Sequence, residues 1–395
     1  LENLLVPPDK PTYEIRGGEI QQVQKNAIKM VNKYKRKYKD REYMILAPTV
    51  EGTMLLITRY IYPQAPPRSP FPPKAEMNSI EECVRFVSLI PFLDDFKIGQ
   101  TKEAWNPSHD FLQLRAGDEE EHAILLCNYF NYLDVKKDNG YTSYIVIGRG
   151  IPEGKTVYVM RQNKRMNKDV TFWNPCTGDG FLAEDDLCTL KVATIVNEDN
   201  IWLNISDEER IHRLSFDLTD SNVWKPFFNS KSFSKNDLGT NLGTVQIPEL
   251  NYKEPDMEFL EAVERQITRT LEDEFRDWRS KRKFSTVPQN IVKKELGDTL
   301  IQMEYEANAL ELKDYPFSRF EHRRAMEKFG AQYKIYGIPL NTTFTDVRTV
   351  VDMVEACDFH ENPLKGVKFA ISVKCFAYPN DVISVWVYVA TLEPR

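Results

Sequence analysis

A chain of 395 residues that is 42% apolar and 12% aromatic has hydrophobic material for more than one core, because single domains usually hold about 100–200 residues. Its formal net charge of −7 excludes a dedicated nucleic-acid binder, whose domain would be basic enough to displace phosphate counterions. The six cysteines form no CxxC pair and the five histidines are scattered, which argues against a structural zinc site and for reduced thiols, so neither metal nor cofactor is expected. In chain order, Gln21 to Lys39 carries the basic run KYKRKYK, which reads as a solvated, partly helical connection. Glu42 to Tyr62 reads as a strand pair with a turn, and the proline-dense stretch that follows as a linker over 66–77. Next come a helix over Ser79–Phe92, a helix in AGDEEEHAILLCNYF with Ala123, Leu126, Cys127 and Phe130 inward, the strands TSYIVIGRG and KTVYVMRQ, a hairpin tip at Asn163 to Asp169, and the strand VTFW. Met257 to Phe284 has the clearest helical stripe, with Glu261/Arg265 and Glu272/Arg276 placed to pair four apart. Further helices are expected over Gln289–Asn308, where Gly297 weakens the pattern, and over Phe317–Phe329. The end of the chain reads strand, helix, strand, strand: its first hairpin strand has one wet face, and its last is apolar on both and should be central. The longest apolar run, Val382 to Leu392, is half a membrane span, contains Ser384, Trp386 and Tyr388, and reads as a buried strand. The chain starts at Leu1 without a basic and apolar leader, so it reads as part of a longer protein with no secretory signal.

The chemistry suggested by the second helix is incomplete. A cysteine nucleophile needs a thiol at a helix N-terminus, a histidine from a facing strand, and a carboxylate or amide to orient that ring. The transglutaminase-like group presents Gly-x-Cys-x-x-x-Ala opening a helix, then a strand with His and another with Asp-Pro-Thr. Gly117-Asp118-Glu119-Glu120-Glu121-His122-Ala123 has this frame with Glu119 at the cysteine's place. The strand Thr156 to Met160 has no histidine, leaving Val157 at the vacant position, and Asn174 stands where the aspartate would be. Loss of a triad nucleophile has cost about a million-fold in rate in a well-studied case. Cys127 lies two turns along the apolar stripe and reads as a packed thiol, whereas Cys176 is the better rescue residue. Glu119, Glu120, His122, Thr156, Tyr158, Trp173, Asn174 and Cys176 are the candidates for lining a cleft. The triple glutamate also fits an acidic first helical turn of any function.

The phrases AGDEEEHAILLCNYF, IVIGRGIPEGKTVYV, FWNPCTG, DNIWLNI, FDLTDSNVWKPFF, YGIPLNTTFTDV and YPNDVISVWVYVATL, in this order, resemble the C-terminal half of the coiled-coil and C2 domain-containing protein 2A family. A related centrosomal family with a C2 domain and the same core is the nearest alternative. The resemblance implies an α+β fold: a degenerate transglutaminase-like, papain-like core with an antiparallel sheet over 78–229, a helical region over 230–330, and a C-terminal α/β unit over 331–395. Residues 1–65 would be the end of, or an extension from, a C2-type β unit. It further implies a non-catalytic scaffold of the ciliary transition zone or basal body that supports cilium assembly. Its partners would be B9-type C2 domain proteins and other gate components; the disarmed cleft, with its acidic rim at Glu119 to Glu121, would take basic peptide tails, whereas a glutamylated tubulin tail would need the basic patches at Lys33 to Lys39 or Arg279 to Lys283. Such a protein is cytoplasmic and cytoskeletal, without a transmembrane segment, and membrane-proximal through its N-terminal parts. The rival expectation is an active cysteine peptidase or acyl transferase using Cys176 or Cys127. A third is an architectural domain whose cleft is filled by its own side chains.

Overall fold

The computed structural model describes residues 19–93, 104–151, 154–164, 170–185, 190–229, 243–285, 287–288, 290, 292–311, 315–364 and 367–395. The chain divides into two compact units, one formed by Glu2–Pro66 and Asn78–Asn251, the other by Pro67–Met77 and Tyr252–Arg395. Both combine helices with mainly antiparallel sheets, so the α+β class read from the sequence is present in each. Most of the hairpin tip expected at Asn163 to Asp169, and Cys188, lie outside the described residues.

The first unit begins with α1 (Gln21–Lys35), which buries Val23 and Ala27 and places Lys33 and Lys35 in its last turn, where cations complement the helix dipole. Strands β1 (Leu46–Pro48) and β2 (Met54–Leu56) form a short hairpin with Ala47 opposite Leu55, and a 3₁₀ turn at Ile57–Tyr60 ends it. Residues 19–66 therefore hold one helix and a two-stranded hairpin, in the same compact unit as the residues after 78 rather than in a separate β unit. Next come α2 (Ile80–Ser88), α3 (Ser108–Leu114) and α4 (Glu119–Lys137). Ser79 and Glu82 close a capping box at the start of α2.

Seven strands follow: β3 (Tyr141–Gly150), β4 (Gly154–Asn163), β5 (Thr171–Trp173), β6 (Gly180–Leu182), β7 (Lys191–Val196), β8 (Ile201–Asn204) and β9 (Trp224–Pro226). They form one antiparallel sheet in the order β6-β5-β4-β3-β7-β8-β9. Successive side chains of a strand point to opposite faces. Lys155 and Arg161 of β4 reach Glu120 and Asp134 of α4, at 3.5 and 2.6 Å, and the Trp173 ring meets Phe130 of α4 at 6.1 Å. Tyr158, Met160 and Phe172 join Val146, Ile195 and Trp224 in the core on the other face. The expected inward stripe of α4 is buried, but so are Ile124, Leu125 and Tyr129. The reason is that α2, α3, β3 and β4 all pack on this helix, which leaves it no solvent face over its first three turns.

The second unit is built on α5 (Met257–Lys281), β10 (Val287–Pro288), α6 (Lys293–Ala307), α7 (Arg319–Gln332), β11 (Tyr333–Thr343), α8 (Val347–Glu355), β12 (Lys368–Ala377) and β13 (Ile383–Pro394). The sheet order is β10-β12-β13-β11, so the strand that is apolar on both faces is internal. Leu260, Val263, Ile267, Leu271, Phe275 and Trp278 of α5 pack with Val350, Val351 and Val354 of α8 on one sheet face. Val292 and Leu296 lie against Ala370, Ala390 and Leu392 on the other. The face of β12 expected to be wet is thus covered: Ser372 is buried and its hydroxyl donates to the Lys293 carbonyl at 3.1 Å. Gly297 permits this approach, since a Cβ there would stand 3.2 Å from Ser372 Oγ and 3.4 Å from Lys374 Cε. The two ion pairs expected along α5 are replaced. Arg265 Nε donates to the Glu261 carbonyl at 3.1 Å, Arg276 pairs with Asp273 at 2.9 Å, and Glu272 pairs with Lys293.

The stretch read as a linker is packed within this second unit. Ser69 N–H donates to Ala75 O at 2.7 Å and Met77 N–H to Pro67 O at 2.9 Å, which folds the segment back on itself. Phe71 is buried with its ring 4.6 Å from that of Tyr305, 6.2 Å from Phe376 and 6.1 Å from Tyr378. Proline density keeps a segment out of helices and central strands, but it also lowers the entropy lost on docking, and an embedded aromatic ring supplies the contact area.

Candidate functional site

The N-terminus of α4 is organised by its own acids. Asp118 is the N-cap, accepting from Glu120 N–H at 3.1 Å. Glu121 completes the capping box by accepting from Asp118 N–H at 3.2 Å, and its other oxygen takes Asn106 N–H at 2.8 Å. Glu120 is 2% exposed and faces Lys155 Nζ at 3.5 Å. Burial, then the Asp118 charge, push its carboxyl well above the usual range, and Lys155 opposes them. Glu119, at the cysteine's place in the transglutaminase-like frame, is partly exposed.

His122 does not face a cleft. Its ring is fully buried beside Phe111, with Nδ1 2.6 Å from the Asp118 carbonyl and Nε2 2.9 Å from the Ile90 carbonyl. Burial lowers its pKa although both carbonyls favour the charged ring. Such an imidazole ties α4 to the end of the α2 segment and has no nitrogen left for a substrate. Cys127 is fully buried and meets Asn131 Nδ2 at 3.5 Å, and burial pushes its thiol far up.

On the strands, Thr156, Val157, Tyr158 and Asn174 are buried. Val157 lies on the α4 face, while Thr156 and Tyr158 turn to the other by strand alternation. Asn174 is used entirely in structure. Its Nδ2 donates to Tyr158 Oη at 3.2 Å, and its Oδ1 accepts from Cys176 N–H at 3.0 Å and Thr177 N–H at 3.3 Å. Gly178, at φ +81°, lets this turn close, with its Cα side 3.2–3.4 Å from Ser88 and Val84 of α2 for any added Cβ.

Cys176 is partly exposed. Burial raises its pKa most, followed by the Glu119, Asp118, Glu120 and Glu121 carboxylates, so the fold does bring the β5 turn into the field of the α4 N-terminus. Among the described residues, the contacts of Cys127 and Cys176 are with Asn131 and Asn174, with no imidazole among them. Of the eight residues expected to line a cleft, Glu120, His122, Thr156, Tyr158 and Asn174 are buried, and only Glu119, Trp173 and Cys176 reach solvent. Sequence reasoning missed Lys155, which carries the cation at the site, and the role of Asp118 and Glu121, although the Asp-x-x-Glu spacing of a capping box was there to read. Among the described residues, one group has metal-ligand reach, Asp358, His360 and Glu361 of the second unit, but the Arg282 guanidinium already holds Glu361 at 2.5 Å. Among the described residues no helix is long and apolar enough to cross a membrane.

Two domain families match the chain, one in each unit. The CEP76 peptidase-like domain covers residues 103–227, and the C-terminal domain of Centrosomal protein of 76 kDa covers 257–392. Protein CC2D2B of Homo sapiens is 30% identical over 346 residues, 87% of this chain and 22% of that protein. Coiled-coil and C2 domain-containing protein 2A of Drosophila melanogaster is 24% identical over 362 residues, 88% of this chain and 25% of the relative. Centrosomal protein of 76 kDa of Danio rerio is 24% identical over 343 residues, 80% of this chain and 48% of the relative. The chain thus spans a quarter or less of the first two relatives and about half of the third. Over most of its own length the chain is similar to Protein CC2D2B and to Coiled-coil and C2 domain-containing protein 2A, and it matches the CEP76 peptidase-like domain followed by the C-terminal domain of Centrosomal protein of 76 kDa.

Proposed function

We propose that this chain is a non-catalytic scaffold module at the base of the cilium or at the centrosome, built on a transglutaminase-like core whose catalytic cleft is disarmed and largely filled. The observation that carries this reading is the inversion of the electrostatics at the helix N-terminus. A nucleophilic thiol needs surroundings that stabilise the thiolate. Here a glutamate holds the nucleophile's place, and the nearby Cys176 thiol faces four carboxylates that raise its pKa further after burial. Packing supports the architectural form of the reading over an open peptide groove, because the residues at the vacant histidine and aspartate positions, Val157 and Asn174, are buried. The cellular location rests on the relatives, two of which carry "centrosomal" in their names. Its partners are then other proteins of the transition zone or basal body, including those with B9-type C2 domains.

Thiol alkylation tests the chemistry. With iodoacetamide near neutral pH and peptide mass spectrometry, Cys176 and Cys127 should label more slowly than a free cysteine, with Cys176 accelerating only in strongly alkaline buffer. Rapid labelling of Cys176 near pH 7 would return the peptidase or acyl-transferase reading. A fluorescent fusion of the chain should concentrate at basal bodies, and a diffuse signal would count against the scaffold's location.

A further inference from the structure

The sequence singles out the basic run KYKRKYK, and in the structure two of its cations, Lys33 and Arg36, line up with Lys25 and Lys29 further up the same helix. Lys35 pairs with Glu42 at 3.8 Å, and Lys37 lies 3.4 Å from Asp207, so half the lysines of that run are engaged. Lys25, Lys29, Lys33 and Arg36 are all exposed and, among the described residues, have no acidic partner. Arg36 keeps helical angles at φ −64° and ψ −36°, so it continues the α1 spiral. At 3.6 residues per turn, the four positions fall within an arc of about 80° and extend over about 16 Å of helix axis. They form one line of cations. The helix QQVQKNAIKMVNKYK contains no aspartate or glutamate, in a chain whose net charge is −7.

The shape of this line restricts what can match it. Lys25, Lys29 and Lys33 are separated by about 6 Å of rise each. An extended polypeptide repeats its same-side side chains every ~6.6 Å, so carboxylates at alternate residues meet the stripe nearly in register. A membrane fits less well. The helix turns Val23 and Ala27 inward, Ile28 is its one large apolar side chain exposed on this side, and a flat bilayer would also meet exposed Asp40 and Asp207 at the helix's C-terminal end. The stripe has one ring beside it, Tyr34 at 5.1 Å from Lys33 Nζ, where a single-stranded nucleic acid would need several rings for successive bases to stack on. We propose that the Lys25–Lys29–Lys33–Arg36 stripe of α1 binds an extended acidic segment of a partner protein, with carboxylates at every second residue. This is independent of whether the α4 cleft is catalytic.

The test uses the whole chain and a fluorescein-labelled decapeptide of alternating glutamate and serine, followed by anisotropy. Binding should weaken about tenfold or more in K25E/K29E, persist in K25R/K29R, and fall as salt rises, because exposed charge pairs are screened over about 10 Å. All these side chains point to solvent, and circular dichroism would verify that the variants keep their helix content. Absence of binding, or binding that survives K25E/K29E, overturns the proposal. So does equally tight, equally stripe-dependent binding of phosphatidylserine vesicles or of a thymidine decanucleotide, which would make α1 a general polyanion surface.

Discussion

Each unit buries glutamate, and Glu120 of the first and Glu304 of the second are held in opposite ways. In the first, Glu120 is enclosed next to Asp118 and Glu119, and a single lysine 3.5 Å away offsets the crowding. In the second, Glu304 is fully buried on α6 and receives three neutral donors, Tyr378 Oη, Trp386 Nε1 and Ser384 Oγ, the last at 3.0 Å. The first arrangement leaves a carboxyl whose charged form is disfavoured. The second satisfies a carboxylate with hydrogen bonds and so fastens α6 to β13. Glu120 therefore marks a site of electrostatic tension and Glu304 a joint, and residue type alone does not separate them.

The largest expected effect comes from breaking the joint. Glu304→Ala orphans three buried donors, at roughly 1–3 kcal/mol each, and should speed amide hydrogen exchange throughout β12 and β13. Unchanged exchange there would mean that the network is incidental to the unit's stability. Next is Phe71→Ala, which removes a buried ring from Tyr305 and Tyr378 and should destabilise the second unit by about 3–5 kcal/mol, with faster exchange in α6 as well as in 67–77. If only residues 67–77 respond, the segment is a passive strap.

The smallest effect sharpens the other side of the comparison. Because the Glu120 carboxyl is raised above its ordinary value near 4.5, the folded state holds that proton more tightly than the unfolded chain. Its contribution is fully present below about pH 4.5 and is lost as pH rises through the folded value. Glu120→Gln should therefore stabilise the protein at neutral pH and flatten its stability profile above pH 4.5, measured as Tm against pH. A variant that loses stability at pH 7 would show that the Lys155 pair outweighs the burial.

Much of the fold was legible where periodicity and burial coincide. The six-residue stripe of α5 faces its core as the spacing demands, and β13, apolar on both faces, sits inside its sheet. The Asp118–Glu121 capping box was legible as an Asp-x-x-Glu spacing but went unread. Less visible was what covers a surface. The alternation in β12 describes a wet face, yet α6 covers it, with Gly297 at a point where an added Cβ would stand 3.2 Å from Ser372 Oγ. The prolines at 66–73 describe a segment that cannot join a sheet or helix, but say nothing about Phe71 finding Tyr305.

The sequence by itself determined which residue types stand at Glu119, Val157 and Asn174, since these are matters of identity along the chain. It also determined the similarity to Protein CC2D2B and to the CEP76 domains, which extends over most of the chain. Only the tertiary structure decided that His122 and Asn174 are bound up in backbone contacts, that Cys176 lies within the field of the α4 acids, and that Lys25, Lys29, Lys33 and Arg36 of α1 are all exposed. Those properties depend on distances between residues far apart in sequence, and both dielectric burial and charge pairing are set by such distances rather than by composition.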